Sequence, residues 1–138
     1  MVQNLDSLKD GAEFDVIVVG GGKTGMDTAQ HLIRSNPDRN IILINGRGTV
    51  FGNRDKLFPT GWSRWWSGTM IGAISADLTQ RFDGRNHDEV FEHFRRIYAI
   101  SHDGQGEHYL FSLLSSAEAR QINGGLTETI HDYLEDVV

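Results

Sequence analysis

Residues 14–25 read Phe14-Asp15-Val16-Ile17-Val18-Val19-Gly20-Gly21-Gly22-Lys23-Thr24-Gly25, an apolar run that breaks into glycines. The run suits a strand over 14–19, buried on both faces as in a parallel sheet. The pattern G-x-G-x-x-G between such a strand and a helix is a phosphate-binding device. Gly20 permits the tight turn, Gly22 lets backbone approach a pyrophosphate, and Gly25 lets the helix pack close to the sheet. Phosphates then meet N–H groups at the positive end of the helix dipole. The candidate pyrophosphate residues are Gly20, Gly21, Gly22, Lys23, Thr24 and Gly25.

The surrounding pattern extends this unit. A helix is predicted over 23–35, where Met26, Ala29, Leu32 and Ile33 recur at helical spacing. Asn36-Pro37 ends it, because a residue before proline is pushed out of helical geometry. Residues 40–44 form a second apolar strand. The first 45 residues therefore read β-α-β, with parallel strands and a right-handed crossover. The fold class is α/β: a Rossmann-like parallel sheet with flanking helices, a truncated or partial doubly wound unit. Residues 1–12 read as a flexible lead-in and 13–138 as a single dinucleotide-binding domain.

Beyond residue 45 the pattern weakens. Residues 46–67 are rich in Gly, Arg and aromatics and read mostly as loop. Helices are predicted over 69–82 and 87–97, and short strands over 98–100 and 108–111. Ser115-x-x-Glu118 matches a capping box and predicts a helix to about Ile122. Gly124-Gly125 reads as a turn, and residues 127–138 as a final helix or an irregular tail.

Composition narrows the partners. A formal net charge of −6 argues against general nucleic-acid binding. No stretch of eighteen apolar residues exists to span a membrane. Without cysteine there are no thiol nucleophiles or disulfides, and with no apolar leader the cytoplasm is the default compartment. The charge is uneven: from Arg34 to Arg64 six basic residues face two acids, whereas from Ala117 to Val138 five acids face one arginine. The basic stretch suits an anionic ligand held by the first half, or is a solvated surface with chance asymmetry.

The tip of the second strand selects the nucleotide. In NAD-binding units an acid there accepts the ribose hydroxyls, and an arginine accommodates a 2′-phosphate instead. This chain has Asn45-Gly46-Arg47 and no acid. A neutral Asn45 removes a repulsion, and the Arg47 guanidinium can grip phosphate bidentately. NADP(H) is therefore expected over NAD(H), with FAD a weaker candidate. Gly22-Lys23-Thr24 also resembles the end of a Walker A loop, but that motif needs a glycine where Ile17 stands.

Gly22-Lys23-Thr24-Gly25-Met26-Asp27 resembles the second nucleotide-binding segment of flavin-dependent NAD(P)H oxidoreductases related to the flavin-containing monooxygenases. Some members carry a GKTxMD stretch followed by an aromatic-rich insert, and residues 54–66 here hold Phe58, Trp62, Trp65 and Trp66. The resemblance implies an NADPH domain that delivers hydride to an FAD held by another domain. It places Lys23 and Thr24 at the rim of the pyrophosphate site and Arg47 on the 2′-phosphate. Those enzymes also carry an N-terminal FAD fingerprint, which this sequence lacks. A separate flavin-binding domain, or a homo-oligomer, is the expected partner. The alternative is a nucleotide-binding module without turnover, a sensor or scaffold.

Other groups point nowhere specific. His87 and His93, like His102 and His108, are six apart, which does not suit paired metal ligands on one helix face. Ser112, Ser115 and Ser116 lack a nucleophile-elbow setting. Asp27 is expected in the first helical turn, favouring the dipole. The Trp62–Trp66 cluster reads as a docking wall or as partial core beneath a long loop, the latter slightly favoured.

Overall fold

In the computed structural model, residues 15–66 and 71–135 are described. Strand β1 (Val16–Val19) leads through the glycine turn into helix α1 (Lys23–Ser35) and then strand β2 (Ile41–Ile44). The two strands are parallel, with Val16 opposite Ile41 and Val19 opposite Ile44. Met26 and Ala29 of α1 are completely buried. Asn36 closes the helix, its N–H donating to the Leu32 carbonyl at 2.9 Å, because Pro37 bars a further turn.

The third strand of this sheet is β6 (Glu128–Ile130), parallel to β2 on its other edge. That position makes β2 central, which is why all four of its side chains are buried. Each such aliphatic side chain stabilises the fold by about 1.5–3 kcal/mol relative to exposure. The expectation of a final helix or irregular tail over 127–138 is corrected over 128–130, which form a strand, while 131–135 are irregular. Thr127, Thr129 and Ile130 are β-branched, and β2 offers them an open edge. Thr127 Oγ1 accepts from the Ile41 N–H at 3.1 Å, and the Thr127 N–H donates to the Ile41 carbonyl at 2.9 Å.

Between β2 and β6 the chain builds a second sheet. Its strands are β3 (Thr49–Asn53), β4 (Ala99–Ile100) and β5 (His108–Leu114), in the order β4-β3-β5. β3 runs antiparallel to β4 and parallel to β5. The loop reading of 46–67 is therefore corrected. β3 is buried throughout, helix α2 (Arg54–Leu57) follows it, and Gly61–Trp65 forms a 3₁₀ turn. Thr49-Val50-Phe51 are good strand formers, but their partners come from far along the chain.

Helices α3 (Ile71–Arg81) and α4 (His87–Ile97) lie in the insert between β3 and β4. Helix α5 (Ser116–Gly125) begins with the predicted capping box, the Ser115 side chain on the Glu118 N–H and the Glu118 carboxylate on the Ser115 N–H. Gly124 and Gly125 are its last residues rather than a turn. A side chain on Gly125 would collide with Ile33 of α1, so glycine here sets how closely the two helices approach.

One hydrophobic cluster unites the parts: Val18, Ile41 and Leu43 from the first sheet, Met26 from α1, Phe51 and Leu114 from the second sheet, and Ala119 and Ile122 from α5. The chain is a mixed α/β structure whose first sheet is entirely parallel. The proposed lead-in over 1–12, the Phe14 start of β1, Thr69 and Met70 before α3, and Asp136 lie outside the described residues. Among the described residues, no helix is long and apolar enough to cross a membrane.

Candidate functional site

The corner where β1 meets α1 has the form its sequence requires. Gly20 has a φ of 105°, in the left-handed region that glycine occupies without strain. Its N–H donates to the Ile44 carbonyl at 2.8 Å, so the turn departs from a fully paired strand. Gly25 stands directly against the Gly20 carbonyl, where no side chain would fit. Gly22 is the N-cap of α1, and no side chain caps that helix. Its first-turn N–H groups are thus left for solvent or an anion. A Cβ on Gly22 would meet only Leu110, at 3.8 Å, and Gly20 and Thr24 are exposed.

Charged groups gather beside it. Lys23 pairs with Asp27, one turn along α1, and reaches Glu118 at 3.7 Å. Asp27 lies beyond the first turn, so its observed work is this i,i+4 pair and not the expected dipole contact. Glu118 also accepts from Arg54 at 3.1 Å. Burial pulls the Glu118 carboxyl upward, but hydrogen bonds from the Ser115 N–H and hydroxyl, aided by Lys23 and Arg54, hold it below the ordinary range. Nothing in the sequence linked Glu118 to this corner; the capping box was read only as a helix start.

At the tip of β2 the two candidate residues part ways. Asn45 is buried, its amide pressed against Gly21 where a side chain of residue 21 would otherwise stand. Its Oδ1 accepts from the Thr49 hydroxyl at 3.3 Å, while its Nδ2 is buried with no partner among the described residues. Asn45 therefore braces the glycine loop from beneath. Arg47 is exposed, in the reverse turn closed by the Gly48 N–H on the Asn45 carbonyl at 2.9 Å. Its Nε donates to the Tyr133 hydroxyl at 3.2 Å. Tyr133 comes from the segment after β6, and its ring flanks Gly46.

Beside this turn lies a polar cluster that the spacing of histidines did not suggest. The His131 ring, just past β6, is 2.7 Å from the Asp103 carboxylate. His102 is buried, with Nε2 3.1 Å from the Thr129 hydroxyl and Nδ1 without a partner among the described residues. Burial lowers the pKa of His102, opposed by the Asp103 charge and reinforced by His131. The cluster ties the segment after β4 to the end of β6. Among the described residues, no three His, Asp or Glu side chains are disposed to hold a metal ion.

The tryptophans are not core. Trp62, Trp65 and Trp66 are 79%, 72% and 74% exposed, which overturns the slightly favoured reading. The Arg64 guanidinium lies 5.4 Å from the Trp65 ring centre. Between β5 and helices α2, α3 and α4, a cavity of about 520 Å³ runs past Lys23 and Arg54. No protein-family model, curated protein or solved structure matches the chain.

Proposed function

We propose that this chain is a Rossmann-like NADP(H)-binding unit of a flavin-dependent oxidoreductase, presenting a nicotinamide to an FAD held elsewhere. The observation that carries the reading is the corner itself. A left-handed Gly20, a close contact of Gly25 with that turn and an uncapped α1 together form the turn-and-helix entry whose free N–H groups suit a diphosphate at Gly22. A carboxylate at the tip of β2 would repel a 2′-phosphate; Arg47 stands near that tip, exposed and held at Nε by Tyr133.

Bound there, NADPH would supply hydride through its reduced nicotinamide. The protein's own part is to bind, orient and exclude water. Lys23 and Thr24 border the diphosphate, Asn45 holds Gly21 in place beneath it, and Arg47 receives the 2′-phosphate. The exposed Trp62, Trp65 and Trp66 support a docking role for that face, since large apolar surface is costly to leave in water.

Isothermal titration with NADPH and NADH tests the reading. NADPH should bind at least about tenfold tighter, as one charge-assisted contact is worth about 1.5–3 kcal/mol. Arg47→Ala should remove that preference and leave NADH binding unchanged. Equal affinities, or no effect of the substitution, would defeat the NADP(H) assignment. Tight binding with no NADPH oxidation under any flavin condition would point to a sensing module instead.

A further inference from the structure

Resting on the reading above, we infer that the cavity beside α1 is the subsite for the nicotinamide ring. Its volume of about 520 Å³ falls within the usual range for small-molecule pockets. Its walls are chiefly apolar and include Leu57, Ile74, Phe94 and Tyr109. Phe94 and Tyr109 meet edge to face, 4.9 Å between ring centres and 78° between planes. Such a pair presents a fixed aromatic surface to a flat guest.

Position links this cavity to the diphosphate corner. Lys23 is the first residue of α1 and also lines the cavity. A molecule whose diphosphate rests over Gly22 thus has two ways to extend. One leads past Gly21 and Asn45 to Arg47. The other passes Lys23 into the aromatic chamber. With the 2′-phosphate on Arg47, the adenosine half takes the first route and the nicotinamide half the second.

Charge selects the occupant. Lys23 and Arg54 would favour an anion if they were unpaired, but Glu118 holds both and Asp27 holds Lys23. Two cations against two carboxylates leave the rim without net charge. Both cations are already engaged by the Glu118 carboxylate, so a carboxylate guest finds no free charge partner in them. The chamber therefore suits an uncharged flat ring such as reduced nicotinamide, and its aromatic walls tolerate the cationic oxidised ring. Phe111 at its edge is 95% exposed, so a ring seated here stays reachable from outside, as transfer to a separate flavin requires.

The experiment compares NADPH with 2′,5′-ADP, which has the adenosine and 2′-phosphate but no nicotinamide. In saturation-transfer NMR of the 138-residue chain with NADPH, the nicotinamide protons should be saturated as strongly as the adenine protons. Ile74→Trp, which fills the chamber, should weaken NADPH at least tenfold and leave 2′,5′-ADP unchanged. Because a large side chain on α3 can disturb folding, Tyr109→Ala serves as a second variant, with the same selective loss expected. If 2′,5′-ADP binds but the nicotinamide protons stay unsaturated, or both variants keep wild-type NADPH affinity, the subsite is wrong while the nucleotide reading stands. If neither ligand binds the wild type, the nucleotide reading itself fails.

Discussion

Gly25 lies so close to the carbonyl of Gly20 that a single methyl group cannot stand between them. Gly22, three residues earlier, has room for a methyl group, which would only touch Leu110 at 3.8 Å. The two glycines therefore serve different ends, one packing and the other access. Gly25→Ala should destabilise the chain by about 1–3 kcal/mol, as overpacked sites do. Gly22→Ala should cost under about 1 kcal/mol, since it changes only an N-cap preference. It should still weaken NADPH, because the methyl group intrudes on the diphosphate. Urea unfolding and nucleotide titration of both variants check this; equal stability losses would refute the division of roles.

Glu118 works in two places, as the capping partner of Ser115 and as the anion between Lys23 and Arg54. Glu118→Gln keeps a capping acceptor but removes the charge. Stability should fall by about 1 kcal/mol, the scale of a partly exposed charged hydrogen bond. NADPH should bind more tightly, since the cations beside the diphosphate lose their competitor. Calorimetric titration reads this directly, and weaker binding would contradict it.

Asp77 joins α3 to α4 and to Tyr98. It accepts from His93 and Tyr98 at 2.7 and 2.9 Å and from Arg81 at 2.9 Å. Those bonds, His93 first, hold its carboxyl down at about 2. A lowered carboxyl pKa adds stability that is full above the ordinary value near 3.8 and is lost as pH falls through about 2. Asp77→Asn should melt lower than wild type at neutral pH, and the gap should close between about pH 4 and 2. Thermal melts across that range would show parallel curves if the network contributes nothing.

His102 carries the opposite charge type with the same sign of pH dependence. Burial keeps it neutral, so the contribution is present above the ordinary histidine value near 6.5 and is lost as pH falls below it. The melting temperature of the wild type should drop between pH 7.5 and 5.5. His102→Gln, which retains a hydrogen-bonding group for Thr129, should flatten that drop. An unchanged pH profile would remove His102 as its source.

Where each piece of the fold was legible follows from where its partners lie. Helix α1 was readable end to end because its face, its glycine entry and its proline exit are local. The Ser115–Glu118 box was readable for the same reason. β3 and β6 were not. Thr49-Val50-Phe51 looks like any short apolar patch until β5 runs beside it, and Thr127–Ile130 is too short to favour strand over tail without β2. Trp62, Trp65 and Trp66 misled because tryptophan is usually buried. Tyr133 and His131 carry no motif, Glu118 only that of a helix start, and their nearness to the site comes from how α5 and β6 fold back.

By itself the amino-acid order determined the strand–turn–helix corner, its glycine chemistry and the missing acid past β2. Those properties reside in backbone freedom and side-chain type within a dozen neighbouring residues. Only the tertiary structure decided that Asn45 is a buried brace, that Arg47 leans on Tyr133, and that a second sheet walls a chamber beside Lys23. These depend on contacts between segments distant along the chain, from Gly21 with Asn45 to Arg54 with Glu118 and Arg47 with Tyr133. Such contacts form only when burying a shared core offsets the entropy of closing long loops.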